Sequence, residues 1–308
     1  MAEITKAIIA AAGYGTRFLP ATKVQPKEML PLLEKPIIQY LVEELVASGI
    51  KNIIIVTRAG QHTLEDHFDS SPALENMLEE NGKTDYLKIV RQIPRLANFV
   101  YLRQTKEYPY GNGTPLLVAA PLLSKKEVFA YLFGDDIVKS KIPATKQLMA
   151  VWREYQPAAV LGVQRVPWPE IHKYASIKYK KRGKVPNQAQ EILEKLPADK
   201  APSNMAQFGR FILTWKVVEI LKKQKLGKGG ELWLADALNT LAKKEIVIAQ
   251  PIKGTWLTTG DPLSWLKTNL EFALEKNEFK EELLSFLKEK LAAKIGNKGK
   301  NQRKNKAY

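Results

Sequence analysis

An apolar segment that runs straight into a glycine-containing loop constrains the fold of this chain most strongly. Residues 6–12 form the apolar segment, and Gly13 and Gly15 follow at its end. Residues 36–48 then carry apolar side chains at helical spacing, and residues 52–57 read NIIIVT, which is typical of a buried strand. A strand, a loop, a helix and a second strand make a βαβ unit, whose two strands lie parallel. The sequence therefore predicts a parallel sheet that starts with its first apolar segment.

The same alternation of apolar and helical segments continues along the chain. Further strands are predicted at residues 99–104, 128–136, 158–166 and 246–251. Helical patterns lie at residues 115–123, 147–155, 215–224, 231–244, 263–276 and 278–294. Alternating strands and helices are typical of α/β proteins. We therefore expect a doubly wound, mostly parallel, Rossmann-like sheet with helices on both faces, a small β excursion around residues 180–197 and helices at the C-terminal end.

Positive charge exceeds negative charge and is concentrated near the end of the chain. The 308 residues include 48 Lys and Arg against 32 Asp and Glu, a net charge of +16. Residues 296–308 are rich in Lys and Asn and lack a hydrophobic period, which is typical of disorder. We expect a solubilising basic tail, with weak contacts to nucleic acid or an anionic surface as the alternative. The predicted organisation is one α/β domain at residues 1–277, a C-terminal helix at 278–295 and this tail.

Composition excludes several classes of site and of location. The chain has no cysteine, so disulfides, thiolate metal sites and cysteine nucleophiles are excluded. No apolar run reaches the roughly 18 residues of a membrane helix, and the first residues lack the pattern of a secretory signal. We therefore expect a cytoplasmic protein that does not contact a membrane, and no nucleic-acid partner beyond the weak contacts of the tail.

The loop after the first strand has the composition of a phosphate site. Backbone N–H groups converge where a strand feeds a glycine turn and a helix, and glycine lets an anion approach the main chain. The dinucleotide motif G-x-G-x-x-G is not matched, because Phe18 stands where its third glycine would be, and the P-loop motif is absent. The loop adds Arg17, which can bind phosphate oxygens bidentately, and Lys27, which follows Pro26. These cations favour a phosphate site over an ordinary solvated loop.

A carboxylate follows the predicted strand at residues 128–136. Asp135, in the segment FGDD, should lie at the carboxyl edge of the sheet, where ligands bind in open α/β folds. A carboxylate in that place suits Mg²⁺, which keeps waters and bridges phosphates. Gly-Asp-Asp is also common in turns, so an ordinary turn is the alternative. Asp136 is a weaker candidate for the same role.

Several longer motifs resemble a known family. The first is GYGTRFLPATKVQPKEMLPLLEKPIIQYLVEELVASGI, and it is followed by YLRQ, LFGDD, LEKLP, APSNMAQFGRFILT, GGELWLADAL and TGDPLSWLKTNLEFAL. Together they resemble the bacterial UTP–glucose-1-phosphate uridylyltransferases, a branch of the sugar nucleotidylyltransferases. The resemblance covers roughly residues 4–276.

The resemblance implies an activity and its participants. A sugar 1-phosphate attacks the α-phosphorus of UTP, pyrophosphate leaves, and a UDP-sugar, UDP-glucose in this branch, is formed. Positioning and charge neutralisation carry such a reaction, so no covalent enzyme intermediate is required. The family also implies Mg²⁺ as cofactor and a homo-oligomer, a dimer or a tetramer.

The resemblance also assigns roles to individual residues. The catalytic cations would be Arg17, Lys27 and Lys195. The nucleotide would be bound by Ala11, Ala12, Gly13, Gly15, Thr16, Gln104, Gly111 and Gly113, with Gln104 reading the uracil edge. The sugar would be bound by Glu194, Lys195, Ala175 and Gly209. The metal ligand would be Asp135.

Many positions depart from the family pattern, among them Thr114, Pro115, Trp233 and Ala235, and three further departures bear most on the site. Ala175 stands where the family has glycine, Leu196 is inserted into the motif Glu-Lys-Pro, and Thr258 stands where the family typically has an aspartate that serves related branches as a second metal ligand. An extra residue inside a strand would reverse the facing of every later residue of that strand unless a bulge absorbs it. Two explanations remain open: an active enzyme with altered sugar preference or metal dependence, or a weak or non-catalytic paralogue that binds nucleotide sugars and regulates a partner.

Overall fold

The structure, a computed structural model, describes the backbone of residues 3–304 and the side chains of residues 3–292. Its strands are β1 (Lys6–Ala11), β2 (Pro31–Leu32), β3 (Lys35–Pro36), β4 (Asn52–Arg58), β5 (Asn98–Gln104), β6 (Val128–Phe133), β7 (Asp136–Lys139), β8 (Ala159–Arg165), β9 (Ala175–Tyr179), β10 (Ala189–Glu194), β11 (Met205–Thr214), β12 (Val247–Pro251) and β13 (Thr255–Thr258). Its α-helices are α1 (Ile37–Ala47), α2 (Thr63–Phe68), α3 (Pro72–Glu80), α4 (Thr84–Gln92), α5 (Thr114–Ala119), α6 (Ala144–Tyr155), α7 (Trp215–Leu221), α8 (Leu234–Ala242), α9 (Pro262–Glu275) and α10 (Asn277–Lys304).

A nine-stranded mixed sheet of mostly parallel strands forms the centre of the molecule. Strands β12, β8, β6, β1, β4 and β5 run in one direction, and β11 runs against its neighbours β8 and β6. The hairpin β9–β10 continues the sheet from the first half of β11. This is the predicted Rossmann-like α/β architecture, and the hairpin is the predicted β excursion.

Helices cover both faces of the sheet, as predicted. Successive residues of β1 point to opposite faces, so Ile8 belongs to one hydrophobic cluster and Ile9 to the other. The first cluster includes buried residues of α5, α7 and α8, and the second includes residues of α1 and α6. Strands buried on both faces read as continuous apolar runs, which is why the first parallel strands were predictable from the sequence.

Several elements differ from the predicted ones. The segment predicted as one strand at residues 128–136 is two strands, because β6 ends at Phe133 and β7 leaves the large sheet to pair with β13. The turn between them is made by Gly134 and Asp135. The sequence pattern also did not predict α2, α3 and α4, which are short and carry few buried residues.

The C-terminal helix is longer than predicted. Helix α10 continues to Lys304, so the helix includes residues 296–304 of the segment predicted to be disordered. Residues 305–308 lie outside the described part of the chain. Among the described residues, no helix combines the length and the apolar character that crossing a membrane requires.

Candidate active site

A cleft of about 440 Å³ opens at the carboxyl ends of β1, β5 and β6 and extends towards the hairpin β9–β10. The cleft is lined by these residues among those that the sequence predicted for the site: Ala12, Gly13, Arg17, Lys27, Gln104, Gly111, Asp135, Ala175, Glu194 and Lys195. Residues predicted for the nucleotide and residues predicted for the sugar therefore share one cavity. The cleft lies where open α/β sheets bind their ligands.

The loop after β1 is folded on itself by short turns. Gly15 has a left-handed backbone (φ 63°), and a Cβ there would approach Thr22 Cγ2 at 3.0 Å. The Thr22 hydroxyl donates to the Gly15 carbonyl at 2.7 Å and closes this part of the loop. Glycine is thus required at position 15 for the turn. The turn returns the chain so that Lys27 reaches the cleft.

Lys27 forms the electrostatic centre of the cleft. Its Nζ lies 2.5 Å from Asp135 Oδ2 and 3.8 Å from Glu28 Oε1. Burial lowers the pKa of Lys27, but the charges of Asp135 and Glu28 outweigh this and hold the pKa above its usual value. Burial raises the pKa of the Asp135 carboxyl, but the charges of Lys27 and Arg17 outweigh this and lower it overall. Both groups are therefore charged at neutral pH.

Glu28 is a buried carboxyl that the sequence analysis did not identify. Its side chain is 1% exposed and packs beneath Gly134, where a Cβ would lie 2.7 Å from Glu28 Cγ. Within the described part of the chain no donor reaches Glu28 Oε2. Burial raises the pKa of Glu28 to about 7, against the opposing charge of Lys27. The carboxyl therefore changes its charge near neutral pH.

Asp136 has a structural role that differs from that of its neighbour. Its Oδ1 accepts from Trp256 Nε1 at 2.7 Å, and its Oδ2 accepts from the Gly209 amide at 2.8 Å. Burial and the charge of Asp135 raise the pKa of Asp136 to about 6. Because both oxygens are used, Asp136 joins β7 to β13 and β11 and leaves Asp135 as the carboxylate turned to the cleft.

The position of the missing family aspartate lies next to Asp135. Thr258, the last residue of β13, pairs with Asp136 and lines the cleft. An added Cβ at Gly260 would lie 3.0 Å from Asp135 Oδ2 and 3.5 Å from Thr258 Oγ1, so both side chains border one small space. Asp261 does not replace the absent acid, because its carboxylate caps α9 by accepting from the Ser264 amide and hydroxyl.

The other end of the cleft is formed by the hairpin β9–β10. Glu194 is the last residue of β10, and burial raises its pKa to about 7 against the lowering effect of Lys195. Lys195 has a left-handed backbone (φ 46°), and its Nζ lies 4.2 Å from the centre of the Trp233 ring. Because β10 ends at Glu194, the inserted Leu196 lies after the strand. The insertion therefore does not change which face of the sheet the side chains of β10 point to. Ala175 fits in extended backbone opposite Glu194.

The glycine loop after β5 is held against the segment that precedes α8. The Leu232 amide donates to the Tyr110 carbonyl at 2.7 Å, and the Gly113 amide donates to the Leu232 carbonyl at 2.9 Å. Gly111 has φ 142°, and a Cβ there would lie 2.4 Å from Leu232 backbone atoms. Only glycine permits this approach, and it keeps Gly111 beside Gln104 in the cleft wall.

Some predicted site residues do not line the cleft. Ala11 is buried in the core, and Gly15 and Thr16 shape the turn from outside the cavity. Gly113 packs against Leu221, and Gly209 packs against Phe133 and binds Asp136. These residues support the site and do not form its surface.

Sequence patterns missed a second group of cleft residues. Aromatic and amide side chains enter from segments far apart in the sequence: Tyr110, Asn112, Tyr174, Gln207, Phe208, Trp233 and Trp256. Trp256 stacks on Phe208 and contacts Tyr174 edge to face. No local spacing marks such residues, because only the sheet topology brings them together.

Comparison with known proteins agrees with this geometry. A family model described as nucleotidyl transferase matches residues 6–275. The UTP–glucose-1-phosphate uridylyltransferase of Bacillus subtilis (strain 168) is 42% identical over 93% of this chain and 97% of its own length. The enzyme of the same name from Staphylococcus haemolyticus (strain JCSC1435) is 44% identical over 94% of this chain and 99% of its own length.

Solved structures support the same relationship. A UDP-glucose pyrophosphorylase complexed with UDP-glucose has a TM-score of 0.79 and 34% identity, covering 89% of this chain and all of the other. A UTP-bound UGPase from Acinetobacter baumannii has a TM-score of 0.80 and 30% identity, covering 92% of this chain and 99% of the other. With its Rossmann-like fold, its single cleft for both predicted substrates and these relatives, the chain belongs to the nucleotidyl transferase family, among the UTP–glucose-1-phosphate uridylyltransferases.

Proposed function

We propose that the protein transfers a uridylyl group from UTP to glucose 1-phosphate, giving UDP-glucose and pyrophosphate. One observation carries this proposal: Arg17, Lys27 and Asp135 share a cavity with Glu194 and Lys195. The first group suits a triphosphate and the second suits a phosphorylated sugar. Of the two explanations left open by the sequence, the uridylyltransferase relatives support the enzyme and not the non-catalytic binding protein.

The residues of the cleft suggest how the reaction proceeds. An oxygen of the sugar phosphate forms a bond to the α-phosphorus, the bond from that phosphorus to the β-phosphate bridging oxygen breaks, and the electron pair leaves with pyrophosphate. Arg17 would hold the triphosphate, Lys27 would neutralise charge that develops near the α-phosphate, and Lys195 would position the sugar phosphate. Glu194 would accept hydrogen bonds from sugar hydroxyls.

The donor set also fits Mg²⁺. The cleft lining includes the acids Glu28, Asp135, Asp136, Glu194, Glu231 and Asp261 and the cations Arg17, Lys27, Lys173 and Lys195. Of these acids, Asp136 and Asp261 already accept hydrogen bonds through both oxygens. Among the described residues, no group of three or more acids or histidines forms a closed metal site. Mg²⁺ is commonly held by one or two carboxylates together with substrate phosphates, and Asp135 is suited to be that carboxylate. Bound there, the ion would neutralise charge on the phosphates.

The direct test is pyrophosphate release. With UTP, Mg²⁺ and glucose 1-phosphate, we expect steady release of pyrophosphate that stops when the metal is chelated. Galactose, mannose and N-acetylglucosamine 1-phosphates would define the sugar preference, and omission of the sugar phosphate is the control. Absence of release with every one of these sugar phosphates would reject the proposal.

Glu194 predicts how sugar binding depends on pH. The ionised carboxylate accepts hydroxyl hydrogen bonds, and the pKa of Glu194 is raised to about 7 by burial. Its ionised fraction therefore grows as the pH rises, and we expect kcat/KM for the sugar phosphate to increase about tenfold from pH 6 to pH 8. Glu194→Gln should lower kcat/KM and flatten this profile.

The matched control for Glu194 lies on the same strand. Glu191 of β10 is partly exposed and pairs with Lys178 at 2.9 Å, so Glu191→Gln should keep the wild-type pH profile. If the Glu194→Gln variant kept the wild-type slope, another group would control it, and Glu28, with its pKa near 7, would be tested next.

Assembly of the protein stays a proposal. The family resemblance predicts a dimer or a tetramer, and α10 offers a surface for it. Its Phe286 and Leu291 side chains are exposed, although both are large and apolar. Burial of such residues between copies would remove apolar surface from water.

A further inference from the structure

A row of three residues crosses the sugar end of the cleft. In the strand registers, Ala175 of β9 lies opposite Gln207 of β11 on one side and opposite Glu194 of β10 on the other. Residues opposite each other on neighbouring strands point to the same face of a sheet. All three residues line the cleft. The row therefore places an amide and a carboxyl on either side of a single methyl group.

The spacing of this row suits a sugar ring. Neighbouring strands lie about 4.8 Å apart, so the backbones of Gln207 and Glu194 are separated by about 10 Å. Ala175 is buried between them and is too short to fill the space above it. A hexose lying over Ala175 would have Glu194 along one edge and Gln207 along the other.

The Gln207 amide is buried without a partner. Its side chain belongs to a residue that is only 6% exposed, and within the described part of the chain no donor reaches its Oε1. Buried polar groups in folded proteins are nearly always hydrogen-bonded, because an unpaired one costs free energy. Oε1 is closed off from solvent, and within the described part of the chain the amide makes no hydrogen bond through either end, so an amide in this place in the cleft wall suits a ligand with hydrogen-bonding groups.

We infer that Gln207 is a specificity-determining residue whose side-chain amide forms a hydrogen bond with a ring hydroxyl of the sugar, opposite the edge bound by Glu194. This inference rests on the proposed function. Sheet topology assigns Gln207 to the sugar and not to the base, because the predicted nucleotide residue Gly13 follows β1 and Gln104 ends β5, and both strands lie beyond β6 from β11. A sugar hydroxyl both donates and accepts hydrogen bonds, so it can pair with a side-chain amide.

Binding measurements test the inference without requiring turnover. Calorimetry would give the Kd of UDP and of UDP-glucose for the wild type and for Gln207→Leu, which keeps a similar volume and removes the amide. The advantage of UDP-glucose over UDP is the ratio of the UDP Kd to the UDP-glucose Kd. In Gln207→Leu this ratio should fall about tenfold or more, while the Kd of UDP stays unchanged. An unchanged advantage in Gln207→Leu, or a wild type that binds both ligands equally, would overturn the inference.

The chain offers a matched control. Gln188 is 5% exposed and lies outside the cleft, and its Oε1 accepts from the Lys184 amide at 2.8 Å. Gln188→Leu should keep the wild-type advantage for UDP-glucose. Gln207→Met is a second variant in case Gln207→Leu does not fold.

Deoxy substrates identify the hydroxyl that is bound. Pyrophosphate release would be compared for the 2-, 3-, 4- and 6-deoxy analogues of glucose 1-phosphate. With the wild type, one analogue should give a much lower kcat/KM than glucose 1-phosphate. With the Gln207→Leu variant, the same analogue and glucose 1-phosphate should give similar kcat/KM values, because the variant has already lost that hydrogen bond. Equal discrimination by both proteins against all four analogues would reject Gln207 as the hydrogen-bonding partner of a ring hydroxyl. Failure of the wild type to release pyrophosphate with any sugar phosphate would reject the proposed function, while the calorimetric comparison would still decide the role of Gln207.

Discussion

Replacing Lys27 by methionine is expected to lower kcat by about 10²- to 10³-fold, the usual loss when one group that stabilises transition-state charge is removed. Lys27 is held at the centre of the cleft by Asp135 at 2.5 Å. Opposing charges keep its pKa above the usual value, so the cation is present at every pH at which the enzyme would be assayed. The measurement is steady-state pyrophosphate release at saturating UTP and sugar phosphate.

Two variants control the Lys27 experiment. Lys23 lies in the same loop but is exposed and outside the cleft, so Lys23→Met should keep kcat within a few-fold of the wild type. Lys27→Arg keeps the charge but changes its shape, and it should recover only part of the loss. A fall in kcat of less than tenfold in a folded Lys27→Met protein would contradict the proposed role of Lys27.

Replacing Arg210 by methionine is expected to lower the free energy of unfolding by about 3–5 kcal/mol, because a buried charge loses its partner. The Arg210 side chain is 1% exposed, and its guanidinium contacts Glu44 Oε1 at 3.0 Å and Oε2 at 2.8 Å. It also donates to the carbonyls of Asp136 and Gly209. Thr145 supplies two further hydrogen bonds to Glu44. Urea unfolding at neutral pH would measure the loss.

The sign of the pH effect follows from Glu44. Burial raises its pKa, but the charge and hydrogen bonds of Arg210, together with Thr145, outweigh this and hold the pKa below its usual value. A carboxyl with a lowered pKa in the folded state stabilises the protein above its unfolded pKa, and this contribution is lost as the pH falls. The wild-type advantage over the Arg210→Met variant should therefore shrink at acidic pH.

Two comparisons separate burial from charge pairing. The double variant Glu44→Leu with Arg210→Met should recover much of the loss, because it leaves no unpaired charge in the interior. Lys178→Met, which breaks the exposed pair with Glu191, should change the free energy of unfolding by less than about 1 kcal/mol. A loss below about 1 kcal/mol for Arg210→Met would show that Glu44 finds another partner or takes up a proton at little cost.

The Arg210 network also supports the catalytic end of the cleft. Arg210 binds the Asp136 carbonyl, and the Gly209 amide binds the Asp136 carboxylate, so β11 fixes the start of β7. Asp135 immediately precedes β7 and has its own carbonyl bound by the Thr259 amide at 2.7 Å. The metal-ligand candidate is thus positioned by a polar core that extends to Glu44 of α1.

Local patterns were sufficient for the parallel half of the fold. The strands β1 and β4 are buried on both faces and read as continuous apolar runs, and α1 shows the helical period between them. The loop that holds Lys27 was identifiable because glycines and cations follow the strand directly. The sequence also showed the departures from the family pattern, but it did not show their structural consequences. Leu196 changes no strand facing, because β10 ends before it.

Long-range pairing decided the rest. Strand β11 contains Gly209 and Arg210 in its middle, so it shows neither alternation nor a continuous apolar run, and its place between β6 and β8 could not be derived locally. Glu28 and Gln207 look like ordinary polar residues in the sequence, and only packing shows that each is buried with an unpaired oxygen. The sequence by itself determined the fold class and the cations that would meet a phosphate, because those signals depend on neighbouring residues. The tertiary structure alone decided which side chains meet across the sugar end of the cleft, because strand register joins residues that are far apart in the chain.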